Sequence, residues 1–267
     1  MNEHVSDFFS QASDDAPHGN FHRVIALHNA PESTFEEIHA VVPDLCKGWH
    51  ELAYLEAADR IEFTRDYWLA KLPFDPKTTQ AIITFFSQLD DIGIYLIQRT
   101  YDDPYEAHMV YSLKEERGFF QGLSGASEED VVQLQKLFPD HIIPQDYLSF
   151  LRIHNGFAKS TDTGVLSSRQ VPVATEQFRA ILGQGDPLKI DSGKIVDPLT
   201  LIPFYESFGM PVFQCFWSDW YPEQEMGNVY YSGFTHTISD VHGKEAGTDS
   251  LGFPTFLAWL IFYLETV

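Results

Sequence analysis

Residues 217–225, Trp-Ser-Asp-Trp-Tyr-Pro-Glu-Gln-Glu, put three aromatic side chains and three carboxylates into one short stretch. That mixture suits the grip of one protein on a basic partner. Trp217, Trp220 and Tyr221 offer ring area to bury, while Asp219, Glu223 and Glu225 offer partners for Arg or Lys. The same residues have a plainer use, because two Trp side chains beside a strand can turn inward and close off a sheet. Tyr101-Asp102-Asp103-Pro104-Tyr105-Glu106 is a smaller stretch of similar make-up, in which Asp and Pro also serve as ordinary turn formers.

Patterns for covalent chemistry or metal binding are incomplete. Gly122-Leu123-Ser124-Gly125-Ala126 echoes a nucleophile elbow but ends in Ala where that motif has Gly. Cys215 and His236 invite a thiol–imidazole pair, yet Cys215 sits between Gln214 and Phe216 in a strand-like run, the setting of a small buried hydrophobe. His18 and His22 are four residues apart, but the intervening residues lack the Glu of a helical zinc motif. Gly183-Gln184-Gly185-Asp186-Pro187-Leu188 lacks the third small residue of a dinucleotide loop, and Gly193-Lys194 is followed by Ile195 where a phosphate loop needs Ser or Thr. Asp186, Asp191 and Asp197 are too widely spaced for a helix-loop-helix calcium loop. No catalytic residue, metal or cofactor is expected.

The 267 residues carry 17 Lys and Arg against 39 Asp and Glu, a net charge of −22. Residues 1–122 hold −12 of it and residues 123–267 hold −10, so the acidity is spread over the chain. Such a balance argues against nucleic acid and against anionic lipid, both of which select basic surfaces. A basic protein is the partner that charge would steer, although acidity also serves solubility alone. Two cysteines, no Asn-x-Ser/Thr site and no basic-then-apolar leader make a reducing cytoplasm the expected location. The longest apolar run, Phe256 to Leu264, falls well short of a bilayer's thickness.

These segments need a frame. Residues 1–20 read as a loose polar tail. Ser33 with Glu36 resembles a capping box, and Asp44 is placed to cap a helix carrying Leu45, Trp49, Leu52 and Leu55 at three-and-four spacing. An aromatic segment from Phe63 ends before Pro73. Asp75 then caps a helix with Pro76 in its first turn and Ile82, Phe85, Phe86 and Leu89 on its buried face. Beyond Asp91 the period becomes two, and YDDPYE separates two strands of a hairpin. The small residues of 121–127 mark a junction. Ser127 caps a helix with Val131, Leu134, Leu137 and Phe138, a second helix opens at Pro144, and residues 173–182 read as a third. LTLIPFY, PVFQCFW and NVYYSGF follow as strands, and a helix from about Phe253 to Glu265, apolar nearly all round, closes the chain. The order implies an α+β fold with a mainly antiparallel sheet.

Ile143-Pro144-Gln145-Asp146-Tyr147-Leu148-Ser149-Phe150-Leu151, followed by Asn155-Gly156, resembles the signature of the SUKH superfamily. Leu201-Ile202-Pro203-Phe204, Gly227-Asn228-Val229-Tyr230, and Phe253 with Phe256-Leu257 fall in that family's order. The likeness covers residues 123–267, with Pro144, Asp146, Tyr147, Leu151, Asn155 and Gly156 as its structural positions. Phe157 departs from it, standing where the family usually has a second Gly. The resemblance implies a single sheet wrapped by helices, to which residues 21–122 add a helical region and hairpin. It also implies non-catalytic binding of protein. Bacterial members resemble immunity proteins that block toxin domains, often nucleases, and fungal relatives regulate cell-wall glucan synthesis through protein contacts. The expectation is therefore a binder of a basic toxin domain. A regulatory scaffold is the alternative, and an enzyme built from scattered acids and histidines is another. The partner's identity and the oligomeric state are not written in these residues.

Overall fold

The computed structural model describes residues 1–11, 19–160, 162–183, 185–190, 193–239, 241 and 251–265. Its architecture is α+β with mainly antiparallel strands, divided into two units, Met1–Gly125 and Ala126–Thr266.

In the first unit α1 (Glu3–Phe8) precedes β1 (Arg23–Ala26), then α2 (Phe35–His39), α3 (Lys47–Ala53), α4 (Ala57–Lys71) and α5 (Pro76–Ser87). The strands β2 (Leu89–Gln98), β3 (Glu106–Leu113) and β4 (Phe119–Leu123) complete it. These pair in the order β1-β2-β3-β4, every pair antiparallel. The expected hairpin is thus the middle of a larger meander. Its strands are buried on both faces, not one, because helices cover both. Trp68 of α4 donates its indole N–H to Tyr111 Oη at 3.1 Å on one side, and Phe9 stacks on Tyr95 at 4.4 Å on the other.

That second contact corrects the loose-tail reading for residues 1–11. Val5 and Phe9 lie four apart, one helical turn, and both enter a core with Phe21, Tyr95, Ile97, Val110 and Phe119. Two caps also move. The capping box is Thr34 with Glu37, one residue later than Ser33 and Glu36. Asp44 caps nothing, since α3 starts at Lys47 behind Cys46 without a side-chain cap. Asp75 does cap α5, accepting the Thr78 N–H at 2.8 Å, with Pro76 at the first position. The small-residue stretch 121–127 begins inside β4, and the division between units falls just after Gly125.

The second unit runs α6 (Glu128–Leu137), α7 (Gln145–Leu151), β5 (Phe157–Lys159), β6 (Gly164–Val165), α8 (Gln170–Leu182) and β7 (Lys189–Ile190). It continues with β8 (Leu201–Glu206), β9 (Val212–Trp217), β10 (Asn228–Ser232), β11 (Thr237–Ile238) and α9 (Phe256–Glu265). Strand order is β5-β6-β8-β9-β10-β11-β7, antiparallel except for β11 with β7. Ser127 and Asp130 form the capping box of α6, whose Leu137 points to solvent instead of the core. Helix α8 starts before residue 173 because Ser167 and Gln170 cap it reciprocally: Ser167 Oγ accepts the Gln170 N–H and Gln170 Oε1 accepts the Ser167 N–H. Helix α9 starts three residues after Phe253, which instead exchanges backbone hydrogen bonds with Asn228.

Candidate partner-binding turns

The 217–225 segment leaves the sheet at the end of β9. Period two along that strand turns Phe213, Cys215 and Trp217 to one face, where they join Phe178, Leu201, Val229 and Tyr231 in a core. Trp217 is only 3% exposed. As a direct partner contact it is therefore a correction: burial against this core leaves no ring face to share. Trp220 is half-buried and lies over Gly227, so close that a Cβ there would stand 2.3 Å from Cε3 of the indole. The backbone reinforces this anchor, with the Gly227 N–H donated to Trp220 O and the Trp217 N–H donated to Gly227 O, both at 2.9 Å.

Glu225 also turns inward. It is half-buried, and its Oε2 accepts the Gln145 N–H at 3.0 Å, at the first residue of α7, which gives it a capping role. What remains outside is Asp219, Tyr221 (47% exposed) and Glu223. The turn is a short acidic-aromatic tip held from below by two indoles, with its charged atoms in water.

The turn joining β2 to β3 belongs to the first unit. Asp103 is absorbed by local structure, its Oδ2 accepting both the Thr100 N–H at 3.0 Å and the Thr100 hydroxyl at 2.8 Å. Gln98 Nε2 ties the carbonyls of Tyr101 and Asp103 together. Tyr101 is 77% exposed and meets His22 edge-on, Asp102 is exposed, and Tyr105 is half-buried.

The residues quoted for the SUKH resemblance divide between two faces of the sheet, Leu201 and Val229 in the core just described and Tyr147, Phe204 and Phe256 in another. Pro144 precedes the first turn of α7, and Asp146, Tyr147 and Leu151 are buried on that helix. The Tyr147 ring packs on Phe204, Phe216 and Phe256 at 5.8, 5.2 and 5.1 Å, so α7, β8, β9 and α9 share it. Asp146 Oδ1 accepts its neighbour's N–H, and Oδ2 accepts the Leu257 N–H at 2.9 Å. Burial pushes its carboxyl up to about 6, against the pull of those N–H groups and with help from the Glu225 charge. Asn155 Oδ1 accepts the Ser168 N–H at 2.7 Å, just ahead of α8. Gly156 has φ +116° and turns the chain into β5, whose first residue, Phe157, is buried against Phe150 and His154.

The other sequence patterns do not assemble. Burial pushes the Cys215 thiol well up, and His236 bonds to Tyr231 Oη and the Asp186 carbonyl, not to sulfur. Ser124 Oγ donates to Asp44 O at 2.6 Å. Asp197 Oδ1 accepts the Leu199 N–H. His18, Gln184 and Asp191 lie outside the described residues. Among the described residues no group of three or more His, Cys, Asp or Glu is placed to hold a metal, and no helix is long and apolar enough to cross a membrane. No protein-family model and no curated protein matches the chain.

Sequence reasoning missed two polar hubs, one buried and one half-buried. Arg60 Nη2 meets Asp91 Oδ1 at 2.6 Å beneath α4. Asp162 accepts the hydroxyls of Tyr205 and Tyr263 at 3.0 and 3.1 Å and the Phe208 N–H at 3.0 Å. Neither pairing leaves a periodic signal, since the partners are distant in sequence.

Proposed function

We propose that this chain is a non-catalytic protein-binding module of the SUKH kind, an immunity-type protein that occludes a basic toxin domain in the cytoplasm. The observation that carries the reading is the tip of residues 218–224, where Asp219, Tyr221 and Glu223 face water on a loop pinned by Trp217 and Trp220. A pinned loop gives up little conformational freedom on binding, so its carboxylates meet Arg and Lys side chains with small entropic loss. The surplus of 22 negative charges raises the rate at which a basic partner finds it. The core around Tyr147 adds support, because it joins the α7 helix to the strand that presents the tip.

The test is inhibition. A basic domain captured by the chain should lose its own activity on stoichiometric addition of the wild-type protein, and regain it when the Asp219→Asn, Tyr221→Ala, Glu223→Gln variant replaces it. Several weakly held partners, none inhibited, would instead point to a regulatory scaffold of the cell-wall-regulator type.

A further inference from the structure

Helix α4 of the first unit mixes polar and apolar residues both where it is buried and where it is exposed. The residues it buries are Arg60, Thr64 and Trp68, at four-residue spacing, and the polar two are satisfied internally: Arg60 by Asp91 and Thr64 by the Arg60 carbonyl. The remaining surface carries Asp59, Glu62, Phe63, Asp66, Tyr67 and Ala70, all exposed, with Tyr67 at the edge next to the buried row. Positions three and four apart share a helical face, so this is one continuous stripe. Phe63 is 60% exposed and Tyr67 is 44% exposed. A surface helix ordinarily turns such rings toward the core, whereas here both keep a large share of their surface in water.

The charges around the rings say what would cover them. Asp59, Glu62 and Asp66 flank Phe63 and Tyr67, and Glu56 adds a fourth exposed carboxylate just ahead of the helix. Arg65 engages Glu62 and Asp66 at 3.5 and 2.8 Å from the side, leaving Asp59 and Glu56 without an ion pair among those the structure forms. One cation already sits on this face, since Lys71 Nζ lies 5.5 Å from the centre of the Tyr67 ring.

We infer that the outward face of α4 is a docking surface for a basic amphipathic segment of another protein, its apolar side chains seated on Phe63 and Tyr67 and its Arg or Lys residues paired with Asp59, Glu62 and Asp66. The surface lies in the first unit and does not draw on the reading of residues 218–224, so each can fail without the other.

The experiment uses a dye-labelled synthetic helix of Lys and Leu, titrated against the full chain by fluorescence anisotropy. Phe63→Ala with Tyr67→Ala should weaken binding by about tenfold or more, as loss of aromatic anchors does. Asp59→Asn, Glu62→Gln, Asp66→Asn should do the same. Glu129→Gln, Asp140→Asn, Glu176→Gln, which removes three exposed charges of the second unit, should leave binding within about twofold. A Lys and Ser peptide should bind more weakly than the Lys and Leu one. The inference is overturned if the ring variant binds as wild type does, if the distant-charge variant loses as much as the α4 variants, or if the two peptides bind equally.

Discussion

Asp146 Oδ2 accepts the Leu257 N–H at 2.9 Å, so a carboxylate from the first turn of α7 caps the first turn of α9 across 111 residues of sequence. The second oxygen caps its own helix through the Tyr147 N–H. One side chain thus fixes two helix starts against the sheet that carries the acidic tip, and it does so where burial disfavours its charge.

This predicts an unusual pH response. With its carboxyl raised to about 6, Asp146 in the folded chain holds a proton that the unfolded chain has already released between about pH 4 and 6. The native state therefore loses stability as pH rises through that window, by about 3 kcal/mol from this group, and levels off above it. Comparing unfolding free energies of wild type and Asp146→Asn at pH 4 and pH 7 should show the excess fall in wild type alone. Parallel profiles would contradict it.

Gly227 is a steric requirement of the tip. Gly227→Ala places a methyl group 2.3 Å from Trp220 Cε3 and 2.5 Å from Cζ3, so the indole must leave its seat. The expected cost is about 1–3 kcal/mol, with a red shift of tryptophan emission as Trp220 becomes wetter. An unchanged spectrum and midpoint would mean that the indole does not pin the loop.

In the first unit, Asp91→Ala strands the Arg60 guanidinium, whose side chain is 9% exposed, without its carboxylate. A buried charge left unpaired costs about 3–5 kcal/mol, and the urea midpoint should drop accordingly. A shift no larger than that of a surface Asp59→Ala control would show that the pair is not buried in solution.

Local chemistry explains what could be read from the residues alone. Asp75-Pro76, Ser127, and the period-two runs around Ile94 and Cys215 act through neighbours in sequence, and each produced the element expected of it. The α+β class followed from their order. Where reading went astray, distant partners decided. Phe9 is held by Tyr95, so the first residues are not a tail; Glu225 is bonded to the Gln145 N–H, so one of three carboxylates is half-buried. Trp217 has the same composition signal whether it faces core or water, and its pairing with Leu201 on β8 places it over the core. The α4 stripe was hidden for the opposite reason: Phe63 and Tyr67 sit at ordinary core spacing, and it takes the burial of Arg60, Thr64 and Trp68 to show which row faces inward.

The central claim, that exposed carboxylates and a tyrosine on an anchored loop hold a basic protein, is tested most directly by the dissociation constant of the chain with its captured partner, measured at low and physiological ionic strength. The account predicts that Asp219→Asn with Glu223→Gln weakens the complex at least about tenfold at low salt, and that the gap narrows as salt screens the charges. Equal affinities for wild type and variant at both ionic strengths would contradict it.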